Sequence, residues 1–237
     1  MRGKGFTFKQ FHIDHSRCAM KVGTDGTLLG AWAELPQRGR ILDIGTGTGL
    51  IAIMAAQRTS EARITAIDID EDCISQAREN VEATRWSERI EVLHTPLQEF
   101  SATEPFDVII SNPPYFVDSL LSPDAARSTA RHTETLSFND LSQGAVRLLA
   151  ADGHFALILP PPEMERFLSA ARGRMFLTRR CEVWTTPTSG ARRIMAELST
   201  QPPAQPPQSE KLIIEDRGPQ GYSEEYRRLT RDFYLKF

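Results

Sequence analysis

A chain of 237 residues that folds as one unit buries roughly 70% of the surface its unfolded form exposes, enough for a stable core. With 40% apolar and 25% charged residues, and 28 cations against 31 anions for a net charge of −3, the composition excludes disordered and fibrous classes and argues against a uniformly basic nucleic-acid binder. The longest apolar run is the eight residues Gly49 to Ala56, well short of a membrane span, and Met1-Arg-Gly-Lys-Gly5 has no signal-peptide core, so the expectation is a cytoplasmic protein without membrane contact.

Residues 1–21 hold Arg2, Lys4, Lys9, Arg17 and Lys21 against Asp14, interleaved with Phe6, Phe8 and Phe11. That mixture suits a single-stranded RNA loop, and a solvated face is the alternative. Residues 1–39 read as a basic segment and leading helix, and 40–237 as the main domain, effectively one unit with it. From Arg40 the chain alternates short apolar runs with helical patterns, the signature of a parallel sheet with crossover helices. Strands are expected at 40–44, 63–67, 89–93, 107–111 and 154–159. Helices are expected over 70–85, where Ile74, Ala77 and Val81 share a face, and around Phe138, Leu141, Ala145 and Leu148. Two further strands, 177–185 and 192–199, read as a hairpin. Gln201 to Gln208 reads as a stiff proline-rich connector. Tyr222, Tyr226, Leu229, Phe233 and Phe237 predict a docked terminal helix. Arg172, Arg174, Arg179, Arg180, Arg192 and Arg193 face only Glu182 in their stretch, and form a second candidate for phosphate contact.

The first main-domain strand runs into Asp43-Ile-Gly45-Thr46-Gly47-Thr-Gly49 and then an apolar helical stretch. Glycines there let the backbone turn sharply and approach a ligand closely. The Gly-x-Gly-x-Gly spacing, with an acid two residues ahead, departs from the dinucleotide fingerprint and favours S-adenosylmethionine, whose ammonium and sulfonium welcome a carboxylate such as Asp43. Asp68, closing the second of these strands, suits the ribose hydroxyls; a helix cap shared with Asp70 is the alternative. After the third, His94 to Glu99 offers no acid for the cofactor's adenine amine, which leaves backbone groups around Leu97, or Gln98.

The fourth ends in Asn112-Pro113-Pro114-Tyr115-Phe116. The prolines remove local N–H donors and fix φ, so the Asn112 side-chain oxygen and the Pro113 carbonyl can both accept from one NH₂ group. Accepting both hydrogens turns a delocalised lone pair toward a methyl donor, with positioning supplying most of the acceleration. Tyr115, with Phe116, would stack on a planar substrate. A proline-stiffened loop is the alternative for this motif taken alone. Cys18, Cys73 and Cys181 form no Cys-x-x-Cys pair, and His12, His15 and His132 have no metal-ligand spacing, so no metal is expected.

The glycine loop followed by Asn112 to Tyr115 resembles the amino-methyltransferases of the S-adenosylmethionine-dependent, Rossmann-like class I fold. The resemblance implies an α/β architecture with a seven-stranded mixed sheet, an antiparallel last strand and helices on both faces. Phe6 to Trp32, Arg131-His-Thr-Glu-Thr-Leu136 and Asp232 to Phe237 further resemble the bacterial tRNA1(Val) adenine-37-N6 methyltransferases. This implies a monomer that takes a tRNA anticodon loop, Asn112, Pro113, Pro114 and Tyr115 acting in catalysis, and Lys21, Thr24, Asp43, Gly45, Thr46, Gly47, Gly49, Asp68, Leu97 and Asn112 around the cofactor. Lys9, Arg17, Phe116, Arg127, Arg131 and His132 fall to the RNA. Release-factor glutamine methyltransferases, other RNA amino-methyltransferases and a noncatalytic RNA-binding protein are the competing readings. The first carry a helical substrate domain ahead of the glycine loop, where this chain has about 40 residues.

Overall fold

The computed structural model describes residues 5–18, 20–114, 136–218 and 221–236. An antiparallel hairpin, β1 (Gly5–Thr7) and β2 (His12–Asp14), opens the chain, and α1 (Thr24–Trp32) follows. Strands and helices then alternate: β3 (Arg40–Ile44), α2 (Leu50–Arg58), β4 (Arg63–Asp68), α3 (Glu71–Glu82), β5 (Ile90–His94) and β6 (Phe106–Ser111). The second half holds α4 (Phe138–Leu148), β7 (Leu149–Leu159), α5 (Pro161–Ala171), β8 (Phe176–Trp184), β9 (Ala191–Ser199), β10 (Gln208–Ile213) and α6 (Glu224–Thr230).

The main sheet has eight strands in the order β10-β8-β9-β7-β6-β3-β4-β5, one more than the seven expected. β9 is antiparallel to both neighbours, β7 and β8, while the other pairings are parallel. The added strand is β10, which pairs with β8 along its full length. Its Gln-Ser-Glu-Lys start is polar and exposed because it lies on the sheet edge, so the apolar run that marks an interior strand is missing. The proline-rich connector ahead of it is exposed and without regular structure, as its composition predicts.

Interior strands alternate between two cores, as period-2 geometry requires. Ile41, Val108, Ile110 and Ile158 pack under α1, α2 and α3, whereas Leu42, Ile109, Phe155 and Leu157 pack under α4 and α5. Helix α2 is buried from Leu50 through Ala56, which explains its apolar run. The expected faces of α3 and α4 are the buried ones, and α4 starts with a Ser137–Asp140 capping box. Helix α5 has three prolines at its entry, Pro160 to Pro162, which suit a helix's first turn.

The N-terminal aromatics correct one expectation. Phe8 and Phe11 are buried and stacked, with centroids 4.6 Å apart. Phe8 also stacks on Tyr234, and Phe11 meets Trp86 edge-on. They therefore fasten the hairpin to the core, and of the three only Phe6 is exposed.

Candidate active site

Strand register builds the site. Ile44 of β3 pairs with Ile67 of β4 on one side and Ser111 of β6 on the other. Gly45, Asp68 and Asn112, each the residue that follows along the chain, thus come level at the carboxyl ends of three adjacent strands. β3 is where strand order reverses, the position at which open α/β sheets bind ligands.

The glycine loop is pinned from below and behind. Gly45 N–H and Thr46 N–H both donate to the Ile67 carbonyl, at 2.9 and 3.0 Å. Gly45 and Gly47 have φ of +70° and +54°, and a Cβ on either would meet no protein atom within 4 Å. Both line open cavity space. Gly49, also left-handed, faces away: a Cβ there would lie 3.4 Å from Ala77, and it caps α2 without lining the cleft.

Asp43 lies beneath the loop, 1% exposed. Its Oδ2 accepts from Thr46 Oγ1 at 2.6 Å and Ala52 N–H at 3.2 Å, while Oδ1 is buried without a partner. Burial pushes its carboxyl from 3.8 up to about 7. Asp68 accepts from Gly47 N–H at 2.8 Å and Asp70 N–H at 3.0 Å. Burial raises its carboxyl too, against the lowering pull of those backbone donors. Asp70, not Asp68, caps α3, accepting from Cys73 N–H. Asp68 keeps lone pairs for further donors.

Two adjoining cavities share Met20, Gly45, Gly47, Asn112 and Pro114. The larger, about 610 Å³, is walled by Lys21 to Gly26, Thr46 and Arg193. The smaller, about 160 Å³, lies among Asp68 to Asp70, Cys73, Thr95, Leu97 and Gln98. Asn112 stands at their junction. Its Nδ2 is directed at α1, 3.9 Å from where a Cβ on Gly26 would sit. Pro113 is buried and Pro114 exposed. Tyr115, Phe116, Arg127, Arg131 and His132 lie outside the described residues.

Several residues that build this arrangement were not legible in sequence. Asn80 of α3 donates to the carbonyls of Asp14 and Thr48 and accepts from Asp14 N–H, tying the hairpin to the glycine loop. Arg193 of β9 donates to Asp25 at 2.6 Å across the larger cavity. Arg147 of α4 donates to the carbonyls of Leu97 at 2.8 Å and Phe100 at 2.7 Å, holding the loop beside the smaller cavity. Leu97 and Gln98, the two positions expected near the adenine, both line the smaller cavity.

Lys9 and Arg17 are not brought to the cleft. Lys9 Nζ donates to the Arg231 carbonyl and Arg17 pairs with Glu79 at 2.9 Å. The second arginine cluster is largely spent internally. Arg179 bonds Glu197 and Glu210 and stacks on Trp32, Arg180 pairs with Glu182, and Arg174 bonds Asn139 and the Ala170 carbonyl. Among the described residues no group of three or more His, Cys, Asp or Glu could hold a metal, and no helix is long and apolar enough to cross a membrane.

The residues lining the cavities fit S-adenosylmethionine: a carboxylate, Asp68, with lone pairs left for a diol, and glycines that leave the loop bare, with the buried Asp43 beneath that loop and lining neither cavity. Comparison with known proteins agrees. The methyltransferase small-domain family matches residues 18–159. A tRNA1(Val) (adenine(37)-N6)-methyltransferase of Parabacteroides distasonis is 47% identical over 98% of both chains, and one of Tolumonas auensis is 45% identical over 100% of this chain and 99% of its own. A crystal structure described as a predicted O-methyltransferase of Agrobacterium tumefaciens superposes with a TM-score of 0.69 at 20% identity, covering 88% of this chain and 96% of that one, a likeness of fold. The chain belongs to the methyltransferase small-domain family and, within it, to the tRNA1(Val) (adenine(37)-N6)-methyltransferases.

Proposed function

We propose that this chain transfers a methyl group from S-adenosylmethionine to the N6 amine of adenine 37 in tRNA1(Val), the reaction for which its full-length relatives are named. The observation that carries this reading is the level placement of Gly45, Asp68 and Asn112 on three adjacent strands, with Asn112 at the junction of two cavities.

When bound, S-adenosylmethionine supplies an electrophilic methyl on a sulfonium. Asp68 accepts from the ribose hydroxyls, Gln98 and Leu97 bound the adenine, and Lys21, Thr24 and the Asp43 carboxylate serve the amino-acid end. Asn112 Oδ1 and the Pro113 carbonyl would each accept one hydrogen of the substrate amine, freeing its lone pair for in-line attack. The methyl C–S bond breaks as the N–C bond forms, which leaves the cofactor a neutral thioether, and the methylated nitrogen gives its surplus proton to solvent. Gly26 leaves room for the Asn112 side chain on the α1 side, where Nδ2 lies. On sequence grounds Tyr115 and Phe116 stack on the target base, and Arg127, Arg131 and His132 meet the RNA. The target belongs to the anticodon loop, already single-stranded, so extruding it costs less than flipping a base from a duplex. Transfer between a sulfonium and an amine requires no Lewis acid, and one chain supplies both cavities, so the working unit is a monomer without a metal.

Purified protein incubated with methyl-labelled S-adenosylmethionine and total tRNA from a strain lacking this gene, followed by digestion to nucleosides, tests the reading. Label in N6-methyladenosine is expected. Label in protein instead would favour a glutamine amide as acceptor, and no transfer to either would leave a noncatalytic RNA-binding protein.

A further inference from the structure

The parallel strands and the reversed β9 bring one edge of the sheet together: the carboxyl ends of β6, β7, β8 and β10 and the start of β9. The smaller cavity described above lies at the ends of β3, β4 and β5, and the larger extends from Asn112 to Arg193 of β9. Beyond it, over β9, β8 and β10, runs a groove of about 440 Å³. Thr24, Asp25 and Arg193 line both this groove and the larger cavity, so the two are continuous.

The groove has an apolar floor of Leu28, Val183 and Ile214, and an aromatic wall where the Tyr222 and Tyr226 rings lie 5.3 Å apart. At its rim is Arg192. Of the four arginines on β8 and β9, Arg179, Arg180 and Arg193 are paired with carboxylates. The exposed Arg192 guanidinium has no hydrogen bond or ion pair among the described residues. Two acids share the lining: Asp25, held by Arg193, and Glu215. That balance disfavours a polyanion and suits one backbone phosphate with a neutral ring.

We propose that this groove takes the nucleotide adjoining the target adenosine on the RNA strand, its phosphate on Arg192 and its base against Tyr222. The proposal rests on the reading of the chain as an RNA methyltransferase. A base held at Asn112 carries its neighbours along the same edge, and the half of that edge beyond β3–β5 is where the groove lies. Guanidinium-to-phosphate contact and stacking on an aromatic ring are the usual elements of single-strand binding.

The test is steady-state methyl transfer to tRNA at several salt concentrations by the wild type, Arg192→Ala and Arg192→Lys, with cofactor affinity measured separately by titration. Arg192→Ala should raise the KM for tRNA about tenfold and flatten its log–log salt dependence by about 0.7, the share of one single-strand phosphate. Arg192→Lys should restore the slope, and the Kd for S-adenosylmethionine should be the same in all three. Because Arg192 is exposed and unpaired, loss of the fold does not complicate the reading. An unchanged KM and salt slope in Arg192→Ala, with the wild type active on tRNA, would overturn the groove assignment alone. A wild type that methylates no RNA would overturn the functional reading beneath it as well.

Discussion

Asp43 is the residue whose chemistry is most dependent on its surroundings. Buried beneath the glycine loop with one oxygen unpartnered, its carboxyl rises from 3.8 to about 7. The folded chain keeps a proton there that the unfolded chain gives up, so between those two values rising pH costs stability, and above about 7 the cost is constant. A cationic ligand reverses the preference by favouring the charged form. Affinity for S-adenosylmethionine should therefore rise by up to tenfold per pH unit below about 7 and level off above it, releasing a proton on binding. In Asp43→Asn that dependence should vanish and binding should weaken. Titration calorimetry from pH 5.5 to 8 checks this, and a wild-type affinity flat across that range would contradict it. Asp43, Asp68 and Asn112 were legible in sequence because each sits at or beside the end of an apolar run, where a polar residue has a local reason to stand out. The pairings of Asn80, Arg147 and Arg193, the last of which was expected to meet phosphate, were not, since the partners lie 66, 50 and 168 residues away. No local pattern encodes such pairings.

Among elements, α4 does the most for the site while touching it only through others. Gly144 and Arg147 face the segment after β5. A Cβ on Gly144 would lie 2.6 Å from Leu97 Cδ2, and Arg147 grips two carbonyls of that segment. Gly144→Ala should destabilise the protein by about 1–3 kcal/mol through overpacking, read from urea denaturation. Arg147→Ala should cost about 1 kcal/mol or somewhat more, because charged hydrogen bonds are lost from an exposed side chain. It should also weaken cofactor binding about tenfold, since Leu97 and Gln98 bound the smaller cavity. Full cofactor affinity in Arg147→Ala would show that the segment holds its shape unaided. Sequence periodicity finds α3 and α4 because each buries one stripe, finds β3, β6 and β7 as largely apolar runs inside the sheet, and finds the edge strand β5 by its alternation of buried and exposed residues. It misses β1 and β2, which have three residues each, and β10, whose exposed edge position leaves four of its six residues polar.

For the molecule as a whole, a net charge of −3 counts against nucleic acid only if charge is averaged. The structure narrows the positive footprint further, because Arg17, Arg179, Arg180 and Arg193 are committed to carboxylates. Affinity for tRNA should fall with added salt, but with a log–log slope of only about −2 to −4, the release expected from a few phosphates. Filter binding between about 50 and 200 mM salt measures it, and an affinity independent of salt would mean that the footprint is wrongly placed. The arginine count along a sequence cannot show which guanidinium groups the fold has already used.

That Asn112, between the two halves of the sheet edge, performs the chemistry is tested most directly by single-turnover methyl transfer to tRNA in Asn112→Ala, alongside its affinity for S-adenosylmethionine. The expected result is transfer slowed by about a thousandfold or more, as when a preorganised hydrogen-bonding group is removed from a reacting centre, with cofactor affinity within about threefold of wild type. Transfer within tenfold of the wild-type rate would contradict the assignment.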